Sequence, residues 1–203
     1  EDFDKMRLII KNSSERLLDD VSQILDSSKI DAGKLTIEKR RADINEIIQN
    51  AIEQLSYASQ SRSISIDKSL DYGIAPFNLD GQRIGQVLNN LISNAIKFSK
   101  DGGRIVISSH LEGDRVKVTV QDQGLGIEND KIPSLFKPFV QADLKQRVKG
   151  TGLGLYISKA IIEEHGGSIE LVSQVGVGTT VIFTLPIGLN EEKMETPRAS
   201  MAN

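Results

Sequence analysis

The stretch Val148–Gly167, VKGTGLGLYISKAIIEEHGG, places three glycines directly before a helical pattern. Gly150, Gly152 and Gly154 fall within five residues of one another. Such glycines predict a cradle for an anion such as phosphate, because backbone N–H groups and the positive end of a helix attract negative charge. The pattern is neither a P-loop, since no Gly-Lys-Ser/Thr follows, nor a dinucleotide-binding fingerprint, whose spacing differs. The helical pattern is set by Leu155, Ile157, Ala160, Ile161 and Ile162.

The overall composition narrows the classes of function. The chain has 203 residues, with 25 Lys and Arg against 28 Asp and Glu, and this balance argues against bulk binding of nucleic acid. It contains no cysteine, which excludes disulfides and cysteine-based metal sites. No apolar run approaches the ~20 residues of a membrane-spanning helix, so we expect no membrane contact by this chain. Because the first residue is Glu, we expect a piece of a longer protein.

Residues 1–31 are predicted to form one long helix with a narrow apolar stripe. Such a stripe is typical of a coiled coil or a helical bundle, and a lone helix cannot bury it. The helix either packs on its own domain or dimerises with a partner helix. Gly33 fits the position of a helix stop. The stripe residues step by three and four along the chain: Phe3, Met6, Ile10, Ser13, Leu17, Val21, Ile24 and Ser28.

The rest of the chain mixes strand and helix patterns. Residues 34–42 read as a short strand or linker, and Asp43 with Glu46 forms the capping box of the next helix. A short helix is expected near 129–135, and the polar residues 188–203 read as a disordered tail or linker. These patterns predict an α+β fold, a two-layer α/β sandwich in which a mixed sheet has helices on one face. Strand patterns cover 63–70, 76–79, 104–112, 115–122, 169–173 and 179–185, and helical patterns cover 44–55 and 80–98.

The helical stretch NNLISNAIKF, at 89–98, has a polar face of possible chemical interest. Asn90, Asn94, Lys97 and Phe98 lie along one side of this helix, and the other side is apolar. Ordinary solvated surface explains two amides and an ammonium group as well as a function does. As a site, the face suits a metal and phosphate, because amide oxygens bind hard cations such as Mg²⁺ and lysine binds phosphate oxygens.

Two further glycine pairs flank predicted strands. The motif DQGLGI begins at Asp122, where a strand ends, and Gly124 and Gly126 permit close backbone approach or positive φ. The Asp122 carboxylate could accept a hydrogen bond from an exocyclic amine such as that of adenine. Alone, this motif is weak, since many turns look like it. Gly176 and Gly178 before the last strand fit a simple hairpin turn equally well.

The order of these motifs is more specific than any one of them. An Asn-rich helix, D-x-G-x-G, G-T-G-L-G-L and G-x-G-T occur in sequence, and here the chain closely resembles the catalytic cores of sensor histidine kinases. Those cores share an ATPase superfamily with gyrase, heat-shock chaperone and mismatch-repair ATPases. The resemblance covers about residues 2–186. It includes LLDDVSQILDSSKIDAGKL, which resembles the end of the second helix of the kinase dimerisation hairpin, and SLFKPFVQAD, which resembles the Phe box with Phe136 and Phe139.

The resemblance also implies a domain organisation. Residues 1–33 would be the second helix of the dimerisation hairpin, 34–42 a linker, 43–187 the ATP-binding catalytic domain, and 188–203 a tail or linker. The full-length protein would form a homodimer and act on the receiver domain of a response regulator. It would be cytoplasmic, with a parent protein that could be anchored in a membrane. No nucleic acid is expected as a partner.

For the site, the resemblance implies binding of ATP with Mg²⁺. Asn94 would coordinate Mg²⁺, Asn90 would lie beside it near the phosphates, and Lys97 would contact phosphate, so that Asn90 and Lys97 take part in the transfer. Asp122 would bind the adenine amine. Residues 128–149 would form a lid over the nucleotide. Its basic residues offer three candidates for the γ-phosphate, among which the sequence does not choose: Lys145, Arg147 and Lys149. The other nucleotide-contacting residues implied are Phe98, Gly124, Gly126, Ile127, Phe136, Phe139, Gly150, Thr151, Gly152, Leu153, Gly154, Leu155 and Thr179.

One position separates transfer from hydrolysis within the superfamily. Gyrase and chaperone ATPases have a Glu four residues before the Mg-binding Asn, and that Glu orients the attacking water. Here the position is Asn90, whose amide cannot act as a general base, which favours phosphoryl transfer to a protein acceptor. Two alternatives stay open: a stand-alone ATPase that uses ATP as a conformational switch, and a degenerate kinase domain that docks response regulators.

Neither histidine fits the phospho-accepting motif of the kinases, which resembles H-E-x-x-x-P. His110 lies on a predicted strand, and His165 ends a predicted helix before Gly166. We interpret both as structural. The acceptor helix is therefore expected to be absent from this chain, which would not phosphorylate itself alone.

Overall fold

The computed structural model describes residues 2–141 and 150–188. They form five α-helices, one short 3₁₀ helix and seven strands within the described ranges. In chain order these are α1 Asp2–Asp31, β1 Arg40–Ala42, α2 Ile44–Gln54, α3 Ser56–Gln60, β2 Ser65–Leu70, β3 Phe77–Leu79, α4 Gly81–Phe98, β4 Arg104–Glu112, β5 Arg115–Asp122, the 3₁₀ helix Ile132–Ser134, α5 Gly154–Glu164, β6 Ser168–Gln174 and β7 Gly178–Pro186.

The main sheet has five strands in the order β2-β4-β5-β7-β6. Strand β2 runs parallel to β4, and the other neighbours are antiparallel, so the sheet is mixed as predicted. The register places Ile107 opposite Val120 and Val118 opposite Phe183. Because side chains alternate between the faces of a strand, these residues all lie on one face.

Helices α2, α4 and α5 cover that face and enclose the core. The sheet contributes a row of β-branched and aromatic side chains, and the opposite face is only half-buried or exposed. The predicted two-layer α/β sandwich is therefore confirmed. The buried sheet residues are Ile105, Ile107, Val116, Val118, Val120, Leu171, Val181, Phe183 and Leu185.

The linker predicted at 34–42 ends in a strand that belongs to the domain. Strand β1 pairs antiparallel with β3, with Arg40 opposite Leu79 and Ala42 opposite Phe77. The pair forms a separate two-stranded sheet beside the start of α4. Pairing satisfies the backbone groups of β1, which a three-residue strand cannot do alone.

Capping residues at the ends of the helices can be compared with those predicted from the sequence. Asp43 caps α2 as predicted, but its side chain accepts from the Asn45 N–H, and no bond from Glu46 completes a capping box among the described contacts. Asp80 caps α4 by accepting from the Arg83 N–H at 3.0 Å. Helix α1 ends at Asp31, and Gly33 follows it with φ +65°, where the paired 5→2 and 6→1 bonds form a Schellman motif.

The helix expected near 129–135 is reduced to the single 3₁₀ turn Ile132–Ser134. Pro133 accounts for the difference, since it has no N–H to donate and disfavours the helical conformation of the residue before it. Within the described residues, no helix combines the length and the apolar character needed to span a membrane.

Among the α1 side chains that the structure describes, those that pack against the domain lie in the last turns of the helix. Asp26 and Ser27 are buried there, and Asp26 forms an ion pair with Arg83 of α4 at 2.9 Å. Most of the predicted apolar stripe, together with two further leucines, remains exposed. The exposed large apolar residues of α1 are Met6, Ile10, Leu17, Leu18, Val21, Ile24 and Leu25.

Candidate nucleotide-binding site

The polar face of α4 meets the first turns of α5, as a phosphate-binding face requires. Asn90 Nδ2 donates to Ser158 Oγ at 3.0 Å, which fixes the orientation of the Asn90 amide. Asn94 Nδ2 donates to Asn90 Oδ1 at 3.3 Å. Since Asn94 uses its NH₂ group in this way, its carbonyl oxygen Oδ1 has no hydrogen bond among the described residues and keeps its capacity to bind a cation.

The glycines at 150, 152 and 154 make three separate close contacts, and a side chain at 152 or 154 would overlap its neighbours. A Cβ on Gly154 would overlap the side chain of Asn90, and one on Gly150 would lie 3.1 Å from Lys97 Nζ. Gly152 has φ +73° and faces the backbone of residues 139 and 140. The run therefore brings backbone directly against the two polar residues of α4 that were predicted to take part in catalysis.

The N-terminus of α5 is open to an anion. Gly154 is its first residue, and the N-cap, Leu153, makes no side-chain capping bond. The first N–H groups of a helix lack partners within the helix, and the helix dipole is positive there. This end of α5 and the Lys97 ammonium thus supply positive potential from two directions at the glycine run.

Asp122 lies at the other end of the candidate site. Its Oδ1 accepts from the N–H of Gly124 at 2.8 Å and from the N–H of Thr179 at 3.2 Å. Both bonds end on Oδ1, so among the described residues Oδ2 remains as an acceptor. Burial raises the pKa of Asp122, and the two backbone hydrogen bonds oppose that rise.

The loop after Asp122 is held tightly between two elements. A Cβ on Gly124 would overlap the carbonyl of Phe98, the last residue of α4, and the Leu125 N–H donates to that same carbonyl at 3.2 Å. Gly126 has φ +67°, and a Cβ there would overlap the backbone carbonyl of Gln174. The loop can therefore lie between α4 and the β6–β7 turn only with glycine at these positions.

The start of β7 closes this end of the site. Gly178 has φ +143°, and a Cβ there would overlap the carbonyl of Asp122, so it forms a close approach as well as part of a turn. Ser173 Oγ lies 2.9 Å from Thr179 Oγ1 and donates to the Gly178 carbonyl at 2.9 Å. It also accepts from the Ile127 N–H at 2.8 Å. Ser173 therefore holds Ile127 and Thr179 in place.

The two phenylalanines of the predicted Phe box lie farther from these polar residues. Phe136 is half-buried, with Lys159 Nζ of α5 at 5.9 Å from its ring centroid. Phe139 is 67% exposed and has φ +62°, a conformation that costs free energy for a residue with a side chain. Its backbone contacts the Gly152 position. Their nucleotide contacts stay predictions.

The residues between and after the glycines of the run attach it to the rest of the domain. Leu153 is fully buried, and Leu155 is half-buried against the core, so both anchor the run to the domain. Thr151 Oγ1 donates to Gln23 Oε1 of α1 at 2.5 Å. The predicted γ-phosphate candidates Lys145, Arg147 and Lys149 lie outside the described residues.

Sequence reasoning missed three side chains that orient the predicted ones. Ser158 orients Asn90, Ser173 holds Thr179, and Gln23 contacts Thr151. Ser158 could have been found, because it lies one helical turn after Gly154, on the side that faces Asn90. Ser173 and Gln23 had no such signal, since their roles depend on elements that meet only in the folded chain.

The histidines are structural, as we interpreted them. His165 is buried, and its Nε2 accepts from the Asp80 N–H at 3.0 Å. Its Nδ1 therefore has the proton and donates to the Ile161 carbonyl at 2.7 Å. Burial lowers the pKa of His165 and favours this neutral form. His110 is exposed on β4.

The chain belongs to the family described as histidine kinase-, DNA gyrase B- and HSP90-like ATPases, whose model matches residues 79–189. A sensor-like histidine kinase of Rhizobium meliloti is 37% identical over 88% of this chain and 34% of its own length. The histidine protein kinase DivJ of Caulobacter vibrioides is 33% identical over 93% of this chain and 32% of its own. The chain therefore spans about a third of the length of these relatives.

Solved structures agree on the fold. The histidine kinase ShkA, crystallised with AMPPNP, superposes with a TM-score of 0.79 at 26% identity, over 90% of this chain and 38% of that one. The histidine kinase ThkA in complex with the response regulator TrrA gives a TM-score of 0.70 at 28% identity, over 89% of this chain and 50% of that one. The chain thus contains an ATPase-like domain of the type found in these histidine kinases.

Proposed function

We propose that this domain holds ATP between Asp122 and the glycine run before α5, and donates its γ-phosphate to a histidine on a dimerisation helix outside this chain. The observation that carries the proposal is that close contacts join the glycine run to the polar face of α4, and the start of β7 to Asp122. Gly154 contacts Asn90, Gly150 contacts Lys97, and Gly178 contacts Asp122. Because glycine has no side chain, each of these positions lets a neighbouring polar residue or a ligand approach the backbone closely.

At the adenine end, Asp122 is the specificity group. Its Oδ1 is held by two backbone N–H groups, and Oδ2 can accept from the exocyclic amine of adenine. Guanine has a carbonyl oxygen at the corresponding ring position, which would oppose the carboxylate oxygen. We therefore propose that the site prefers adenine to guanine nucleotides.

At the phosphate end, Lys97 and the N-terminus of α5 bind the phosphates. Asn94 is the residue of this chain that fits Mg²⁺, since its Oδ1 is available and hard cations prefer oxygen ligands. The described residues contain no cluster of three or more His, Cys, Asp or Glu side chains that could hold a metal. Bound Mg²⁺ would supply charge neutralisation between phosphate oxygens. Asn90 keeps its amide oriented through Ser158 and offers no base to activate water.

The partners are proposed from α1 and from the relatives. The exposed apolar residues of α1, among them Leu17, Val21 and Ile24, would be buried in a helical bundle with a second copy of the protein. A response regulator receiver domain would accept the phosphate from the histidine, in keeping with the ThkA–TrrA complex. We propose a cytoplasmic location because ATP and receiver domains are found there.

Nucleotide binding is tested by calorimetric titration of Mg-ATP and Mg-GTP into the wild-type chain, Asp122→Asn and the control Asp114→Asn. Asp114 is an exposed carboxylate in the β4–β5 turn, so its change alters net charge equally. We expect the wild type and Asp114→Asn to bind ATP in preference to GTP, and Asp122→Asn to lose binding. Unchanged binding by Asp122→Asn would contradict the assignment of the adenine end.

Transfer is tested with γ-labelled ATP. The chain is incubated alone, and then with a dimerisation hairpin that contains the acceptor histidine supplied as a separate protein. We expect label on the hairpin only, and very slow release of free phosphate. Sustained release of phosphate by the chain alone would instead support the ATPase alternative, and label on this chain would identify an acceptor within it.

A further inference from the structure

The C-terminus of α4 is capped by one arginine from a distant part of the chain. The last carbonyl groups of an α-helix have no donors within the helix and need partners elsewhere. The guanidinium of Arg62 donates through Nη1 to the carbonyls of Ile96 and Lys97, and through Nη2 to the carbonyl of Ser99 at 2.8 Å. Its Nε donates to Asp101 Oδ1 at 2.8 Å.

Of the carbonyls of residues 96–99, the side chain of Arg62 leaves that of Phe98 to the loop that follows Asp122, called here the adenine-end loop. The Phe98 carbonyl accepts from the Leu125 N–H at 3.2 Å. The four carbonyls of residues 96–99 are therefore shared between the Arg62 side chain and the loop that follows Asp122. A displacement of this turn would move both the phosphate-binding Lys97 and the support of the D-x-G-x-G loop.

Charge adds a second reason for an arginine here. The C-terminus of a helix is the negative end of its dipole, and α4 presents this end beside a site proposed to take a polyphosphate. The Arg62 guanidinium offsets that negative potential with a full charge. Its planar fork reaches three carbonyls and a carboxylate at once, a geometry that a lysine ammonium cannot reproduce.

The backbone of Arg62 holds the same region from a second point. Its carbonyl accepts from the Gly102 N–H at 3.0 Å, in the turn between α4 and β4. Arg62 lies between α3 and β2, outside residues 79–189 that the family model matches. Its contribution to the site is therefore invisible in the nucleotide-binding motifs.

We infer that Arg62 is a positioning residue for nucleotide binding, which acts by fixing the last turn of α4 so that Lys97 faces the glycine run and Phe98 supports the adenine-end loop. This inference rests on the proposed function, since it concerns the affinity of the same site. In this role Arg62 acts through α4 and does not contact the nucleotide itself.

The test measures the dissociation constant of ADP and the thermal midpoint for the wild type, Arg62→Ala and Arg62→Lys. The matched control is Asn45→Ala, which removes a buried side chain bound to Asp71 and Ser109 away from the site. We expect Arg62→Ala to bind ADP about tenfold more weakly, the equivalent of one charge-assisted hydrogen bond. Arg62→Lys should lie between, and Asn45→Ala should lower the thermal midpoint without changing affinity.

A second variant separates the carbonyl contacts from the ion pair. Asp101→Asn leaves the three carbonyl bonds in place, so ADP affinity should stay at the wild-type value. If Arg62→Ala fails to fold, Arg62→Lys decides the matter, and wild-type affinity in that variant would overturn the inference. Loss of affinity in Asn45→Ala equal to that in Arg62→Ala would also overturn it, by showing a general effect of stability. Failure of the wild type to bind ADP would instead overturn the proposed function itself.

Discussion

Helices α1 and α4 are both long and both have an apolar stripe, yet the fold treats the two stripes differently. The stripe of α4 is buried against the sheet, with Leu88 and Ile92 fully inaccessible. The stripe of α1 is exposed, with Leu17 at 64% and Ile10 at 60%. A stripe therefore shows that a helix needs a partner surface, and within the described part of the chain that surface covers the stripe of α4 and leaves the described apolar residues of the α1 stripe exposed.

The two helices also differ in what holds them in place. Helix α4 packs through apolar side chains and is capped at both ends, by Asp80 and by Arg62. Helix α1 is held at its last turns by polar contacts to three parts of the domain. These pairs are Asp26 with Arg83, Gln23 with Thr151, and Asp31 with Tyr156. Ile30, in the last turn of α1, also packs against the core, so the end of the helix is held by one apolar contact beside these polar ones.

The largest expected effect is the difference in stability between two variants, each of which replaces one leucine of one stripe. Leu88→Ala leaves a cavity in the core and should lower the free energy of unfolding by about 3 kcal/mol. Leu17→Ala removes an exposed side chain and should change the free energy of unfolding by less than about 0.5 kcal/mol. Urea unfolding followed by circular dichroism measures both. The comparison fails if the two variants lose similar stability.

A smaller loss of stability is expected when one polar contact of α1 is removed, and it should affect α1 more than α4. Asp26→Ala removes the carboxylate that pairs with Arg83, whose side chain is 21% exposed. This change should lower the free energy of unfolding by about 2 kcal/mol. The carboxylate also accepts from Gln86 at 2.9 Å, so two residues of α4 lose a partner. Hydrogen exchange of backbone amides should show faster exchange in the last turns of α1, with α4 little changed. Equal acceleration in both helices would mean that they unfold as one unit.

The fold was largely predictable because its signals are local. Alternation over 104–112 and 115–122 gave the central hairpin, and the 3.6-residue period gave α4 and α5. The pairing of β1 with β3 was not predictable, since three residues contain too little pattern to show a partner. The short helix near 129–135 was overestimated because Pro133 limits it to a single turn.

The residues of the sequence motifs in the candidate site were predictable, but the residues that orient them were not. The glycines and Asp122 could be read from sequence, since close approach and positive φ leave a compositional trace. The residues that orient them could not be, because Ser173, Gln23 and Arg62 act through contacts between elements far apart in the chain. Serine, glutamine and arginine on a surface pattern look like ordinary solvated residues.

The smallest effect concerns the start of α4, where His165 is joined to the capping residue Asp80. The neutral imidazole accepts from the Asp80 N–H, and burial lowers the pKa of His165 below its ordinary value of 6.5. A histidine whose pKa is lowered in the folded state stabilises the fold above the unfolded pKa, and this contribution is lost as the pH falls below about 6.5.

We expect the free energy of unfolding of the wild type to fall by about 1 kcal/mol more than that of His165→Gln between pH 7.5 and pH 5.5, because over this range the unfolded state binds a proton that the buried imidazole does not. The midpoint of urea unfolding at each pH measures this difference, and taking it relative to the variant removes the common titration of the carboxylates. His110→Gln is the matched control, because it replaces an exposed histidine on β4 and should follow the wild-type profile. If His165→Gln follows the wild type as well, the link between α5 and the cap of α4 does not depend on a neutral imidazole.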